Sequence, residues 1–488
     1  MARKWWTLAA VVAGVFMLVL DITIVNVALP DIGQDFHSSL PDLQWIIDAY
    51  ALVLAAGLLT AGSLADLWGR RQLYAAGTAL FTLGSLLCGL ATDPVFLVVA
   101  RIVQGFGGTV VYATSLALIS HAFRGEEPKE RGTAFGIYGA VLGIGAALGP
   151  VLGGFLTSGI SWRWIFFINI PVGIAAIAVT LTRVEESRDP EDARLDWRGL
   201  VTFTGALGLL IYGLISSPDG WGLPKVYGSL AGAGVLLAAF LVAEIAAHRP
   251  MLDLALFRKP TFTGGLLAAF GLNASIYSVF TYLVLYLQQE LGYSAAQTGL
   301  RFLALTAPMF VSSTVAGRLT HVVPTRLMIG TGFVLVGAGI WLMYGVSAAS
   351  GWTHLLPGMI VAGAGIGMVT VPLASTAVGV VPVARAGMAS GINITFRQVG
   401  LATGIAVLGS VFTSRLGVGR AGYAAALNDI LVIGACVALA SAVLSYALIR
   451  RRDFVPPPQP EPAPQDSGQD SGKAAAALAA DPRRSTRG

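Results

Sequence analysis

Gly132-Thr-Ala-Phe-Gly136-Ile-Tyr-Gly139-Ala-Val-Leu-Gly143-Ile-Gly145-Ala-Ala-Leu-Gly149-Pro150-Val-Leu-Gly153-Gly154 carries eight glycines in an otherwise apolar run. Gly132/Gly136, Gly139/Gly143 and Gly145/Gly149/Gly153 repeat at intervals of four, which stacks them on helix faces. In water each interior glycine costs a helix about 1 kcal/mol relative to alanine. In a bilayer the same spacing lets helix backbones approach closely. Pro150 removes a backbone donor and crowds the preceding turn, so Gly149-Pro150 is expected to kink the helix. Two roles fit: close packing alone, or a pliable helix at a gate.

Composition agrees with a membrane setting. The 488-residue chain is 55% hydrophobic and 12% charged, with mean hydropathy +0.73, against about 25% charged in soluble domains. Cys88 and Cys436 both lie in apolar runs, so neither a disulfide framework nor a zinc spacing is present. The net charge of +5 suggests an anionic partner only if the basic residues cluster, and they are dispersed at the ends of apolar runs. Nucleic acid is therefore not an expected partner, and no cofactor or metal site is expected.

A span needs about 20 apolar residues. Fourteen candidates meet this: 7–29, 44–65, 72–91, 94–118, 131–157, 163–182, 198–217, 225–247, 261–288, 296–317, 325–348, 353–379, 387–413 and 424–449. The first is too long for a cleaved signal peptide. With Arg3 and Lys4 inside, 20 Lys and Arg fall on the inner side and five on the outer side, the asymmetry expected of a multi-pass membrane protein with cytoplasmic termini. The Pro-rich, polar segment from Asp453 onward is expected to be disordered. The sequence thus divides into residues 1–182, a cytoplasmic linker at 183–197, an inserted pair of spans at 198–260, residues 261–450 and a tail at 451–488.

A weak internal repeat supports this division. Gly132-x-Ala134-x-Gly136 recurs 255 residues later as Gly387-x-Ala389-x-Gly391, Gly145 and Gly149 recur as Gly400 and Gly404, and Gly62-x-Leu64 recurs as Gly317-x-Leu319. Repeated halves are characteristic of secondary transporters, whose substrate site lies between them near the midplane. Two six-helix bundles with two inserted helices follow.

Ionisable groups inside spans are functional candidates because isolated charges are costly there. Asp21 lies in Leu20-Asp21-Ile-Thr23-Ile-Val-Asn26; it either exchanges a proton as a cavity opens or orders the first span by hydrogen bonding. Asp48, in Trp45-Ile-Ile-Asp48-Ala-Tyr50, is either a second acid facing the same cavity, with Trp45 and Tyr50 as stacking surface, or a residue of the outer interface. Arg101, in Arg101-Ile-Val-Gln104-Gly105, needs an acid, a carbonyl or water, and can tune a carboxylate's proton release. Arg397 and Gln398 stand in the penultimate span with no evident acid nearby. Asp66, Gly69, Arg70 and Arg71, between the second and third spans, form either a topological anchor or a latch that holds one state.

These residues, in order, resemble the motifs of the major facilitator superfamily, and within it the fourteen-span drug:proton antiporters. The likeness rests on LDITIVNVALP, GSLADLWGRR, RIVQGFGG, LGIGAALGPVLGG and Trp162-Arg163-Trp164-Ile-Phe166-Phe-Ile-Asn169-Ile-Pro171, and covers residues 5–450. The resemblance implies an all-α integral membrane protein with the major facilitator fold, 14 transmembrane helices in all. It implies proton-coupling roles for Asp21 and Arg101, a cytoplasmic gate at Asp66, Gly69, Arg70 and Arg71, and an exporter motif at Gly145, Gly149 and Pro150.

Together these features point to a monomeric, proton-driven exporter of amphipathic small molecules, with Asp21, Asp48 and Arg101 in coupling and Asn26, Tyr50, Gln104, Arg397 and Gln398 lining the substrate cavity. A transporter of a metabolite or siderophore on the same fold is the alternative. An enzyme or sensor lacks support: the five histidines are scattered, and no Gly-Lys-Ser/Thr phosphate loop exists to use ATP. Beyond Asp429 near an end, the C-terminal spans lack the extra acids with which some members of the resembled family select divalent cationic drugs.

Overall fold

In the computed structural model, Gly132 to Gly154 lies in one helix, Pro128–Gly159, that runs unbroken through Pro150. The structure describes residues 2–123, 128–187, 197–217, 220–246, 254–320, 322–381, 386–415 and 419–454, apart from some helical side chains, Asp66 among them. The tail beyond 454 and most of the linker, both expected to be non-helical, lie outside the described residues. All regular structure described is helical.

In chain order the long helices are α1 (Arg3–Phe36), α2 (Leu40–Trp68), α3 (Arg70–Gly89), α4 (Pro94–Ala122), α5 (Pro128–Gly159), α6 (Trp164–Arg183), α7 (Trp197–Ile215), α8 (Pro224–Ala246), α9 (Pro260–Glu290), α10 (Ala295–Leu319), α11 (Thr325–Leu342), α12 (Leu356–Gly379), α13 (Ala386–Arg415) and α14 (Gly419–Leu448). Twelve of them contain a stretch long and apolar enough to cross a membrane; α2 and α3 are not among the twelve. Their starts follow local chemistry. Ser39 and Asp42 form a capping box at α2, Asp93 accepts from the Phe96 amide at α4 (2.9 Å), and Ser294 and Gln297 cap α10 reciprocally. Gly69, at φ 105°, joins α2 directly to α3 in a conformation that side chains resist.

α9 is the least regular helix. It passes through π-helical turns at Asn273–Tyr277 and Tyr286–Glu290. The Ser278 hydroxyl donates to the Asn273 carbonyl at 2.8 Å, alongside the Ser278 amide that closes the widened turn.

Packing repeats at the sequence offset of 255. In the first half a side chain at Gly149 would strike Thr23 of α1, and in the second a side chain at Gly404 would strike Ser278 of α9, each pair 255 residues from the other. α5 crosses α10, and α2 crosses α13. Asn26 and Thr281, themselves 255 apart, meet each other: the Thr281 hydroxyl donates to Asn26 Oδ1 at 3.2 Å. Equivalent positions meet only close to a two-fold axis, so this contact locates the pseudosymmetry of the halves.

The crossings are not identical. At α5–α10, Gly299 lies against the Pro150 carbonyl, and Gly154 against the backbone of Ala295 and Ala296. At α2–α13 the position equivalent to Gly299 is Gln44, and the crossing is bridged by side chains instead. α7 and α8 pack on each other and cover this second crossing, with Trp45 5.9 Å from Tyr212 and Leu207 against Leu52 and Val399.

Among the described residues, the close crossing of α5 on α10 lies at one end. We call that end the top: it holds Gly154, Ser158 and the start of α10, where Ser158 Oγ accepts from the Ala296 amide at 2.9 Å. Toward the base, among the described residues, nothing lies within 4 Å of a Cβ built on Gly136, Gly139 or Gly317. α5 and α10 therefore diverge from a packed top to an open base.

Candidate functional site

Asp21 is fully buried in α1 and its oxygens accept three side-chain donors: Arg101 Nη1 at 2.5 Å, Gln104 Nε2 at 2.8 Å and Asn169 Nδ2 at 3.4 Å. Arg101, two turns into α4 and 1% exposed, also donates to the Ile46 carbonyl of α2 at 3.1 Å and to Gln104 Oε1 at 2.6 Å. Its guanidinium lies 4.1 Å above the Tyr50 ring, and Gln104 donates on to Ser85 of α3 at 2.8 Å. One ion pair thus ties together α1, α2, α3, α4 and α6. A buried pair of this kind gains little net stability, because desolvation offsets attraction, but losing one member costs about 3–5 kcal/mol.

The sequence supplied the acid that Arg101 needs, but it did not supply the cluster. Tyr50 and Gln104 were expected in the substrate cavity; both are buried behind Asp21, 2% and 0% exposed, and face Arg101 instead. Ser85 and Asn169 were not singled out. Asn169 stands in a quoted motif, and a polar residue in an apolar span was the available signal.

Asp48 differs in its partners. It too is fully buried, yet among the described residues neither of its oxygens has a hydrogen-bond partner. It lies one turn from Gln44, whose amide donates to the Tyr282 hydroxyl of α9 (3.4 Å), and Tyr282 donates to the Ile405 carbonyl of α13 (2.8 Å). Asp48 is therefore at the seam between the halves, inside the top closure. Asn26 and Thr281 belong to the same closure, as does Gln288, which donates to the Val27 carbonyl at 2.9 Å.

At the base, Gly69 makes the α2–α3 corner and Glu186 caps α3, accepting from the amides of Arg71 (3.0 Å) and Gln72 (3.3 Å) with the Arg71 side chain 3.8 Å away. The Arg70 amide donates to the Ser187 carbonyl at 3.0 Å. Lys4 pairs with Glu130 (2.6 Å), joining α1 to α5. The Asp66 side chain lies outside the described residues. These contacts join α1, α3 and α5 of the first half to one another and to the start of the linker.

Gly145, Gly149 and Pro150 sit where α5 meets α1: a side chain at Gly145 would crowd Val19 and Phe16, one at Gly149 would strike Thr23, and Pro150 is itself buried. Arg397 and Gln398 lie in mid α13. Gln398 is 8% exposed, whereas Arg397 is half-buried, with Tyr112 of α4 and Tyr277 of α9 as its neighbours. Arg397 and Asp48 are thus not brought together, and the tyrosines escaped notice because nothing in a single sequence says which helix faces which.

The arrangement is that of a transporter: two repeated halves, a seam closed at one end, and ionisable residues inside it. The family model described as Major Facilitator Superfamily matches residues 11–405. The chain is 38% identical over 411 residues to the Multidrug resistance protein Stp of Mycobacterium tuberculosis, covering 84% of this chain and 76% of the relative. It is 36% identical over 465 residues to the Puromycin resistance protein pur8 of Streptomyces alboniger, covering 92% of each. Among solved structures, the human organic anion transporter MFSD10 superposes with a TM-score of 0.65 at 14% identity, covering 91% of this chain and 100% of that one, a likeness of fold alone. On the family match and these two relatives, the chain belongs to the Major Facilitator Superfamily.

Proposed function

We propose that this protein is a proton-coupled antiporter that exports drugs, antibiotics or similar amphipathic compounds across the cytoplasmic membrane by alternating access. Drug and antibiotic resistance in the names of its relatives supports the cargo. The observation that carries the mechanism is the partnerless carboxyl of Asp48 inside a seam that is closed at the top and parted at the base. An ionised carboxylate without a donor is costly there, so Asp48 enters the closed seam carrying its proton. With the top open, Gln44 parts from Tyr282 and water lets the acid take up a proton from outside; with the top closed it holds that proton until cargo entering the parted base drives its release to the inner side. Asp21 and Arg101 make the second coupling element, since a proton on Asp21 would free Arg101 and loosen the contacts among five helices.

In this reading α2 and α3 also cross the bilayer, giving fourteen spans, and the base faces the cytoplasm with both termini, as the 20-to-five distribution of basic residues favours. Residues 1–182 rock against 261–450, with 198–260 as an inserted pair beside α2 and α13 and the linker and tail on the cytoplasmic side. Asp66, Gly69, Arg70 and Arg71 form the base gate, Gly145, Gly149 and Pro150 the exporter hinge, and Asn26 and Gln398 flank the cavity. The protein works as a monomer in lipid, with the proton gradient and no cofactor as its energy source.

Cells expressing the chain test this by their susceptibility to puromycin and related antibiotics, with and without a protonophore. Resistance that disappears when the gradient collapses is expected. Resistance that survives would exclude proton-coupled export.

A further inference from the structure

We infer that the cavity selects cargo bearing an acidic group, a carboxylate or phenolate on an aromatic or apolar body, and that Arg397 is the group that receives it; this rests on the exporter reading above. Arg397 shares a face of α13 with Leu401 and Ile405, which pack against the upper α1 cluster. One turn closer to the base, Arg397 lies where the halves begin to part. Among the described residues it makes no ion pair and no hydrogen bond. An unneutralised guanidinium at this depth is costly, and its default interpretation is a binding site.

Its surroundings are donors. Asn393, one turn away on the same face and 5% exposed, has an amide Nδ2 with no partner. Tyr138 of α5 is 6% exposed, and its hydroxyl lies beside that of Tyr112. Tyr112 and Tyr277 are within electrostatic range of the guanidinium, and Tyr277 closes a π-helical turn of α9. The five guanidinium N–H groups and the Asn393 amide lack an acceptor among the described residues, and a carboxylate supplies paired acceptors for the guanidinium fork. The tyrosine rings offer faces to an aromatic body. The acids that a cationic cargo would need are elsewhere: Asp21 is held by Arg101, Gln104 and Asn169, and Asp48 is enclosed in the seam, both fully buried.

The test uses the purified, reconstituted full chain and three probes that share one aromatic body: pyrenebutyric acid, its methyl ester and pyrenebutylamine, at neutral pH. Binding by fluorescence and gradient-driven export are compared. Pyrenebutyric acid is expected to bind about tenfold more tightly than the ester or the amine, and Arg397→Gln to erase that preference while Arg397→Lys recovers part of it. Asn393→Leu, which keeps the charge, is expected to reduce the preference by about threefold and serves if the Arg397 variants do not fold. Preference for the amine, equal binding of acid and ester by the wild-type protein, or an equal loss for all three probes in Arg397→Gln would overturn the inference. Export of ester and amine without an acid preference refutes this inference alone; failure to move any probe or puromycin refutes the exporter reading beneath it.

Discussion

Asp21 and Asp48 are both wholly buried, and their partners separate what each can do. Asp21 is held by Arg101, so Arg101→Leu is expected to destabilise the protein by about 3–5 kcal/mol by leaving the acid unpaired, read as a large drop in thermal unfolding temperature in detergent. The double replacement of Asp21 and Arg101 by Leu and Met is expected to recover most of that stability without recovering transport; full recovery of transport would make the pair purely structural. Asp48→Asn removes a proton site without removing a partner, so folding and substrate exchange across the membrane without a gradient are expected to persist while uphill transport is lost. Outside the spans, Asp453 is held below the usual carboxylate range by the Thr261 hydroxyl and amide and by Arg452 and Arg450. That contribution is fully present above the unfolded carboxylate value and fades as pH falls through the lowered folded value, so Asp453→Asn should lessen the acid sensitivity of unfolding below neutral pH. At this scale the sequence showed which residues were costly to bury, since a lone polar group in an apolar run is visible. It did not show orientation: Tyr50 and Gln104 turn toward Arg101 rather than the cavity because of packing by α3 and α6, segments distant in sequence.

α5 and α10 form a closely crossed pair, and the glycine spacing that marks α5 has different uses along its length. Gly149, Gly153 and Gly154 are required by close backbone approach, whereas Gly136 and Gly139 face open space in this state. Gly154→Leu is therefore expected to prop the top open and lower export at least tenfold, with cysteines placed at Ser158 or Ala296 becoming reactive to membrane-impermeant maleimide; Gly136→Leu would leave the top closed. Equal effects from both changes would contradict the crossing seen here. Repeats of Gly and Ala 255 residues apart were legible in the sequence, and the contacts of Gly149 with Thr23 and Gly404 with Ser278 show why those positions stay small. The π-helical turns of α9 were not legible, because hydrophobic periodicity does not separate an i→i+5 bond such as Ser278 to Asn273 from the ordinary i→i+4 bond.

For the whole molecule, two pseudosymmetric halves share a seam that is closed at the top through Asn26, Gln44, Thr281, Tyr282 and Gln288, and parted at the base. α7 and α8 cover only the α2–α13 side, so the α5–α10 side is where the two halves meet with nothing inserted beside them. Composition and span length placed the chain in a membrane, and the halves followed from the repeat; the state of the seam could not, since the same sequence must build both states. The most direct test of the account is uphill export of labelled puromycin from proteoliposomes with an imposed pH gradient, measured with and without a protonophore. Accumulation against the puromycin gradient that collapses with the protonophore, and is absent in Asp48→Asn, is the predicted result. Accumulation that persists without a gradient, or that Asp48→Asn leaves intact, would contradict proton-coupled export through the seam.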